Sequence, residues 1–236
     1  MMWNCLLALS LLGAPAFAQT APPFPAGETL EYSVNWPSGL SLGKAKFTAR
    51  RSEPGEAGRA RWTFTFEIDA AIPSFHVLDS YEAQADEELC SIRFLKKLEH
   101  GKRKAHEEIV FDQEAHQATR TTLGGGGSST LEIPECGRDA LTFFYFLRRE
   151  LARGRIPPPG KIVFGSLYEV RLQPAGSERA AVKGKPYEAD QLTVTVKGPA
   201  SEAIFLLLVA RDEARTPVRI TVPLEPGSFT MELAAE

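Results

Sequence analysis

Apolar and polar residues alternate with a period of two along most of the chain, beginning near residue 28. Over 28–36, Leu30, Tyr32, Val34 and Trp36 fall on one side; over 43–50, Ala45, Phe47 and Ala49 repeat the pattern. Over 61–71, Trp62, Phe64, Phe66 and Ile68 alternate with Thr63, Thr65, Glu67 and Asp69. Successive side chains of a strand point to opposite faces, so this spacing predicts strands with one face buried. Further strands are predicted at 77–85, 90–98, 102–111, 116–123 and 128–133. After an interruption they resume at 161–164, 168–172, 179–182, 189–196, 203–211, 218–222 and 228–233. Pro37-Ser38-Gly39, the cluster at 52–58, His100-Gly101 and the four glycines at 124–127 supply the turns.

The interruption is a helix. Asp139 is placed to cap it by accepting the backbone N–H of Thr142. Leu141, Phe144, Leu147 and Leu151 form an apolar stripe at helical spacing, which Phe143, Tyr145 and Phe146 widen around most of the circumference. A helix so apolar is buried on more than one side. Arg148, Arg149 and Arg153 gather towards its end, where cations suit the helix dipole. Gly154 fits the position after the last turn, and Pro157-Pro158-Pro159 prevents continuation.

Roughly a dozen strands with one helix and no internal linker predict a single β-rich domain over 28–235. A sheet that long must curl or close to manage its edges. The expected fold is mainly β: a strongly curved antiparallel sheet or incomplete barrel, with the aromatic helix on its concave side. A β-sandwich is the alternative. Residues 19–27, rich in proline, read as an extended and mobile lead-in.

Residues 1–18 change the picture of compartment. A short apolar run ends in Ala16-Phe17-Ala18, which reads as a secretory signal cleaved after Ala18, although Lys and Arg are absent from its start. The run is too short to span a bilayer comfortably, and the chain after Ala18 carries no transmembrane segment. Cys5 lies too early for lipid attachment. The expected location is therefore periplasmic. Net charge is −3, which offers no basic field for nucleic acid. Cleavage leaves Cys90 and Cys136, and an isolated pair in an oxidising compartment points to a disulfide. Two buried thiols, or a metal site with His76 or His100, are the alternatives; without CxxC or HxxxH spacing the metal signature is poor.

Catalytic signatures are missing. Ser166 in Phe164-Gly165-Ser166-Leu167-Tyr168 lacks the second glycine of a nucleophile elbow, and His106-Glu107-Glu108 lacks the second histidine of a zinc helix. The residues thus favour a non-enzymatic protein, with no cofactor and no metal. One hairpin is strongly basic: Arg93, Lys96, Lys97, Lys102, Arg103 and Lys104, with His100 and His106. It reads either as a contact for anionic headgroups or an acidic partner, or as an edge hairpin protected against aggregation.

Several ordered segments carry a resemblance. They are 27–36 with Gly43, Gly101-Lys102-Arg103 before Val110-Phe111-Asp112, 139–148, Gly198-Pro199, and 211–218. In this order they resemble a bacterial envelope family, domain of unknown function 3108. The resemblance implies a secreted β-rich domain with a signal peptide. Some members look similar to the curved half-barrels of periplasmic lipoprotein carriers, which hold acyl chains against a sheet. The leading expectation is a lipid-like or other hydrophobic ligand held by Trp36, Trp62, Phe64, Phe66, Phe143, Phe144 and Phe146. The alternatives are an envelope interaction or scaffold module that docks a protein partner, and, third, a hydrolase or carbohydrate-active protein.

Overall fold

The computed structural model describes residues 22–53, 61–72, 75–182, 184–223 and 228–235. The expected signal and most of the turn cluster at 52–58 lie outside them. Strands β1 (Glu28–Asn35), β2 (Ser41–Ser52), β3 (Arg61–Ile72), β4 (Phe75–Ala85), β5 (Ser91–His100), β6 (Arg103–Asp112), β7 (Gln117–Thr122) and β8 (Ser128–Glu132) follow one another as antiparallel neighbours. A two-residue strand β9 (Arg138–Asp139) enters helix α1 (Ala140–Ala152). Then come β10 (Gly160–Val163), β11 (Leu167–Val182), β12 (Lys185–Lys197), β13 (Glu202–Ala210), β14 (Pro217–Pro223) and β15 (Ser228–Ala235). These 15 strands form one sheet, with β8 and β9 at its edges and the first and last strands, β1 and β15, paired within it. One continuous sheet excludes the sandwich.

The sheet curls until its β9 end meets β5. The Ser91 N–H donates to the Gly137 carbonyl (3.0 Å), and the Asp139 N–H donates to Ser91 Oγ (2.8 Å). Gln113, in the turn after β6, bridges the join: its Nε2 donates to the carbonyls of Ser91 and Gly137, and its Oε1 accepts from the Gly137 N–H. The Cys90–Cys136 disulfide, with Cα atoms 4.7 Å apart, staples the same seam. Beyond β10, Phe164 lies on Tyr81 and Phe94, so this end of the sheet tucks against the concave face of β4 and β5. The result is an incomplete barrel whose strands β6–β8 continue past the seam.

Register sorts the concave face into rows. Glu28, Ala49, Phe64, Ala83, Phe94 and Ile109 form one row across β1–β6. Leu30, Phe47, Phe66, Tyr81, Lys96 and Glu107 form the next. Helix α1 lies across both rows. Tyr145 stacks on Phe64 with centroids 3.9 Å apart, and Phe144 stacks on Phe47 at 4.9 Å. Buried positions run around the helix, from Leu141 and Tyr145 to Leu147 and Arg148, because sheet surrounds it on several sides.

The caps follow the sequence. Asp139 accepts from the N–H groups of Leu141 and Thr142, and Gly154 takes the left-handed conformation just past the end. Asp139 is also fully buried. Burial pushes its carboxyl pKa up, against hydrogen bonds from Ser91, Thr142 and the backbone that favour the anion.

Three expectations need correction. Arg148 is no dipole partner at the surface. It is wholly buried and grips Glu28 with two bonds of 2.6 and 2.7 Å, while donating to the carbonyls of Ala214 and Arg215. Burial opposes its charge, but Glu28 outweighs burial and holds its pKa above the ordinary value. The lead-in, expected to stand off from the domain, packs into the core where it is described: Phe24 is 2% exposed and sits edge-on to Trp62 and Tyr145. Finally, the two short segments expected at 168–172 and 179–182 are one 16-residue strand, β11, whose register shifts at Pro174/Gly176. That bulge accommodates a proline which cannot donate to the ladder.

Candidate functional site

The seven rings singled out in the sequence separate into three places. Trp62, Phe64 and Phe66 are buried in the rows under the helix, in contact with Phe24, Tyr145 and Phe47. Phe144 is half-buried on Phe47. Phe143 and Phe146 are half-buried together, and the guanidinium of Arg138 lies 3.8 Å from the centre of the Phe146 ring. Burial, with Arg149 nearby, lowers the Arg138 pKa to about 10. Trp36 stands apart. It follows Glu28 by eight residues along β1, about 26 Å at about 3.3 Å per residue, and so lies at the opposite end of the curled sheet from the helix.

At that end Trp36 has apolar company from the other half of the chain. Val194 pairs with Phe205, and Val222 pairs with Phe229. Extending the Leu207–Ile220 register by two residues sets Phe205 beside Val222, and extending Val34–Met231 sets Phe229 beside Trp36. Val194, Phe205, Val222, Phe229 and Trp36 thus make one row across β12–β15 and β1, and all five are half-buried. The row beneath, Leu192, Leu207, Ile220, Met231 and Val34, is at most 9% exposed. Burial therefore fades along the barrel axis, from the helix-plugged end to an apolar mouth. Sequence reasoning missed four of the five. Alternation on each strand turns these side chains inward, but only the β1–β15 and β12–β14 pairings align them.

The other side of the concave face is polar. Asp79 accepts from Tyr81 (3.0 Å) and lies 2.9 Å from His100 Nε2. Burial and the Asp79 charge push the Tyr81 phenol well above its usual pKa, so it serves as a hydrogen-bond donor and not as a base. Next to it, Glu107 lies between Lys96 (2.7 Å) and Arg120. Burial alone would raise the Glu107 pKa; its bonds to Lys96 and Arg120 outweigh this and hold it low. Phe164 covers the Lys96 ammonium at 4.7 Å. A Cβ on Gly165 would come within 2.8 Å of Lys96 Nζ, so glycine lets the β10–β11 turn close over this ion group. Among the described residues, no three His, Cys, Asp or Glu side chains are grouped to hold a metal ion.

The sequence profile of a family described as Protein of unknown function (DUF3108) matches residues 31–234. The chain belongs to the DUF3108 family. That span runs from β1 to β15 and so contains the helix, the seam and the whole mouth row. The DUF3108 chain is also similar in fold to a solved structure from Brucella abortus, described as a beta-barrel-like protein of domain of unknown function DUF1849. The TM-score is 0.58 at 10% identity, over 87% of this chain and 94% of that one. No curated protein matches the DUF3108 chain. Among the described residues, no helix is long and apolar enough to cross a membrane.

Proposed function

We propose that this DUF3108 protein is exported to the periplasm and holds a lipid-like or other hydrophobic molecule in the mouth of its curled sheet, without catalysing a reaction. The observation that carries the reading is the half-buried row of Val194, Phe205, Val222, Phe229 and Trp36. An apolar row left half in water gains free energy when a ligand covers it, at about 25 cal/mol per Å². The polar wall formed by Asp79, Tyr81 and His100 would meet the hydrophilic end of such a ligand. Of the rings expected to line the site, Trp36 takes that role; Trp62 and Phe64 support it from the core.

The test uses N-phenylnaphthylamine, a dye whose fluorescence rises on transfer into an apolar site. Wild type should bind it saturably. Phe205→Ser and Phe229→Ser should each weaken binding about tenfold or more, the loss expected for removing a ring from an apolar contact. Absence of saturable binding sinks the proposal. A second reading, an envelope interaction module, draws on the edge strand β8, whose Ser128–Thr130 stretch is exposed and uncharged.

A further inference from the structure

The sheet has two edges, and one of them is closed. The β9 edge meets β5 at the seam, whereas β8 has β7 on one side and, among the described residues, no strand on the other. The β7–β8 register fixes which backbone groups point to that open side. The Thr122 N–H donates to the Gly127 carbonyl, and the Ile133 N–H donates to the His116 carbonyl. Hydrogen-bonded pairs of an antiparallel ladder recur at every second residue. The backbones of Ser129 and Leu131 therefore turn towards β7, and those of Ser128, Thr130 and Glu132 turn outwards.

Open edges are commonly guarded by lysine, proline or a bulge, which stop another strand from adding to them. Strand β8 has none of these. It reads Ser128-Ser129-Thr130-Leu131-Glu132, pairs with β7 without a register shift, and is exposed at every residue except Leu131. On the outer face, Val110, Thr119 and Thr130 stand in one row that reaches the edge at the middle of β8. That row carries no charge over these three strands, and Val110 is 49% exposed.

From this edge we infer that β8 pairs antiparallel with β8 of a second copy of the chain, about a two-fold axis at Thr130. With the axis there, all three outward residues are used. Thr130 meets its own counterpart, and Ser128 of each copy meets Glu132 of the other. Each such pair exchanges two N–H···O bonds. Threonine opposite threonine is a favourable cross-strand pair, and no like charges face each other. Moving the axis by one residue leaves an outward residue of each copy unpaired; moving it two residues on sets the Glu132 carboxylates opposite one another. The strand is thus self-complementary in charge at the register that uses it fully, which is what a two-fold interface requires. The uncharged row then runs unbroken from Val110 of one copy to Val110 of the other. The inference rests on the second reading, the interaction module, and deepens it by naming the partner as the same chain.

The experiment is sedimentation velocity of the full chain over a concentration series. A contact this short is small for an interface, so the dimer should form with a dissociation constant of about 10–100 µM. Thr130→Lys sets two ammonium groups face to face at the axis and should weaken dimerisation about fivefold or more. Thr130→Glu should do the same. An equimolar mixture of the two variants should dimerise at least as tightly as wild type, which a misfolded variant could not do. Ser128→Lys places a cation opposite Glu132 and should tighten the dimer about fivefold at low salt, a gain that added salt removes. A monomer at every concentration overturns the inference, as does a dimer indifferent to Thr130→Lys or a mixture that shows no rescue. A chain that stays monomeric, yet captures another envelope protein in a way that Thr130→Lys abolishes, keeps the interaction-module reading and overturns this inference alone.

Discussion

Two buried charges decide how the helix is held, one at each end. Arg148 and Glu28 tie its last turns to the start of β1, and Asp139 ties its first turn to Ser91 on β5. Removing one partner of a buried pair typically costs about 3–5 kcal/mol, because the other charge remains desolvated. Asp139 carries a different consequence. Its folded pKa is raised above its unfolded value, so over the interval between the two the native state binds more protons than the unfolded chain. Its contribution to stability is therefore present at low pH and is lost as pH rises through that interval. Asparagine keeps the capping oxygen and cannot ionise. The melting temperature of Asp139→Asn relative to wild type should accordingly climb as pH rises from about 4 towards 7. A constant difference across that range would show that the carboxyl is not strained by burial.

At the scale of elements, close backbone approach matters as much as side-chain packing. Gly43 lies where β1 and β2 shift register at Val34/Asn35, and a Cβ there would come 2.0 Å from the Asp69 carbonyl oxygen on β3. Gly43→Ala should push β2 and β3 apart and cost on the order of 2 kcal/mol or more. Gly127, in the glycine-rich β7–β8 turn, has open space around the same position, and Gly127→Ala should stay within about 0.5 kcal/mol. Urea denaturation of the two variants compares them directly; similar midpoints would contradict the close approach. The Thr122 N–H donates to the Gly127 carbonyl, as in a hairpin turn.

For the whole molecule, the seam decides shape. Hydrogen bonds from Ser91 and Gln113 to Gly137 and the Cys90–Cys136 disulfide bring together segments 46 residues apart in sequence. Cross-linking a loop of that length stabilises by about 4 kcal/mol on the chain-entropy account. Cys90→Ser/Cys136→Ser should lose a comparable amount in denaturant titrations, and hydrogen exchange should rise first at β9 and the start of β5. Unchanged protection at Ser91 and Asp139 would mean that the hydrogen bonds hold the seam unaided. The same closure plugs one end of the barrel with the helix and leaves the other as the apolar mouth.

Much of this architecture was legible along the chain because its causes are local. Strand alternation, the Asp139 cap, Gly154 after the helix and the turns at His100-Gly101 and 124–127 depend on residues within a few positions of one another. The one-sheet fold and the Cys90–Cys136 pairing followed from counting strands and thiols. The inward orientation of Trp62, Phe64 and Phe66 was equally readable, but a period of two says only which face a side chain takes, not how deep that face lies. Depth came from the fold: the helix crosses the rows of Phe64 and Phe47 and seals them, whereas the row of Trp36, Phe205 and Phe229 remains half in water. That row exists only because β1 pairs with β15, and Arg148 is buried only because Glu28, 120 residues earlier, meets it there. The amino-acid sequence by itself determined strands, helix, caps and the face each side chain takes. Which of those faces closed into core and which stayed open was decided by long-range pairing, whose partners no local pattern encodes.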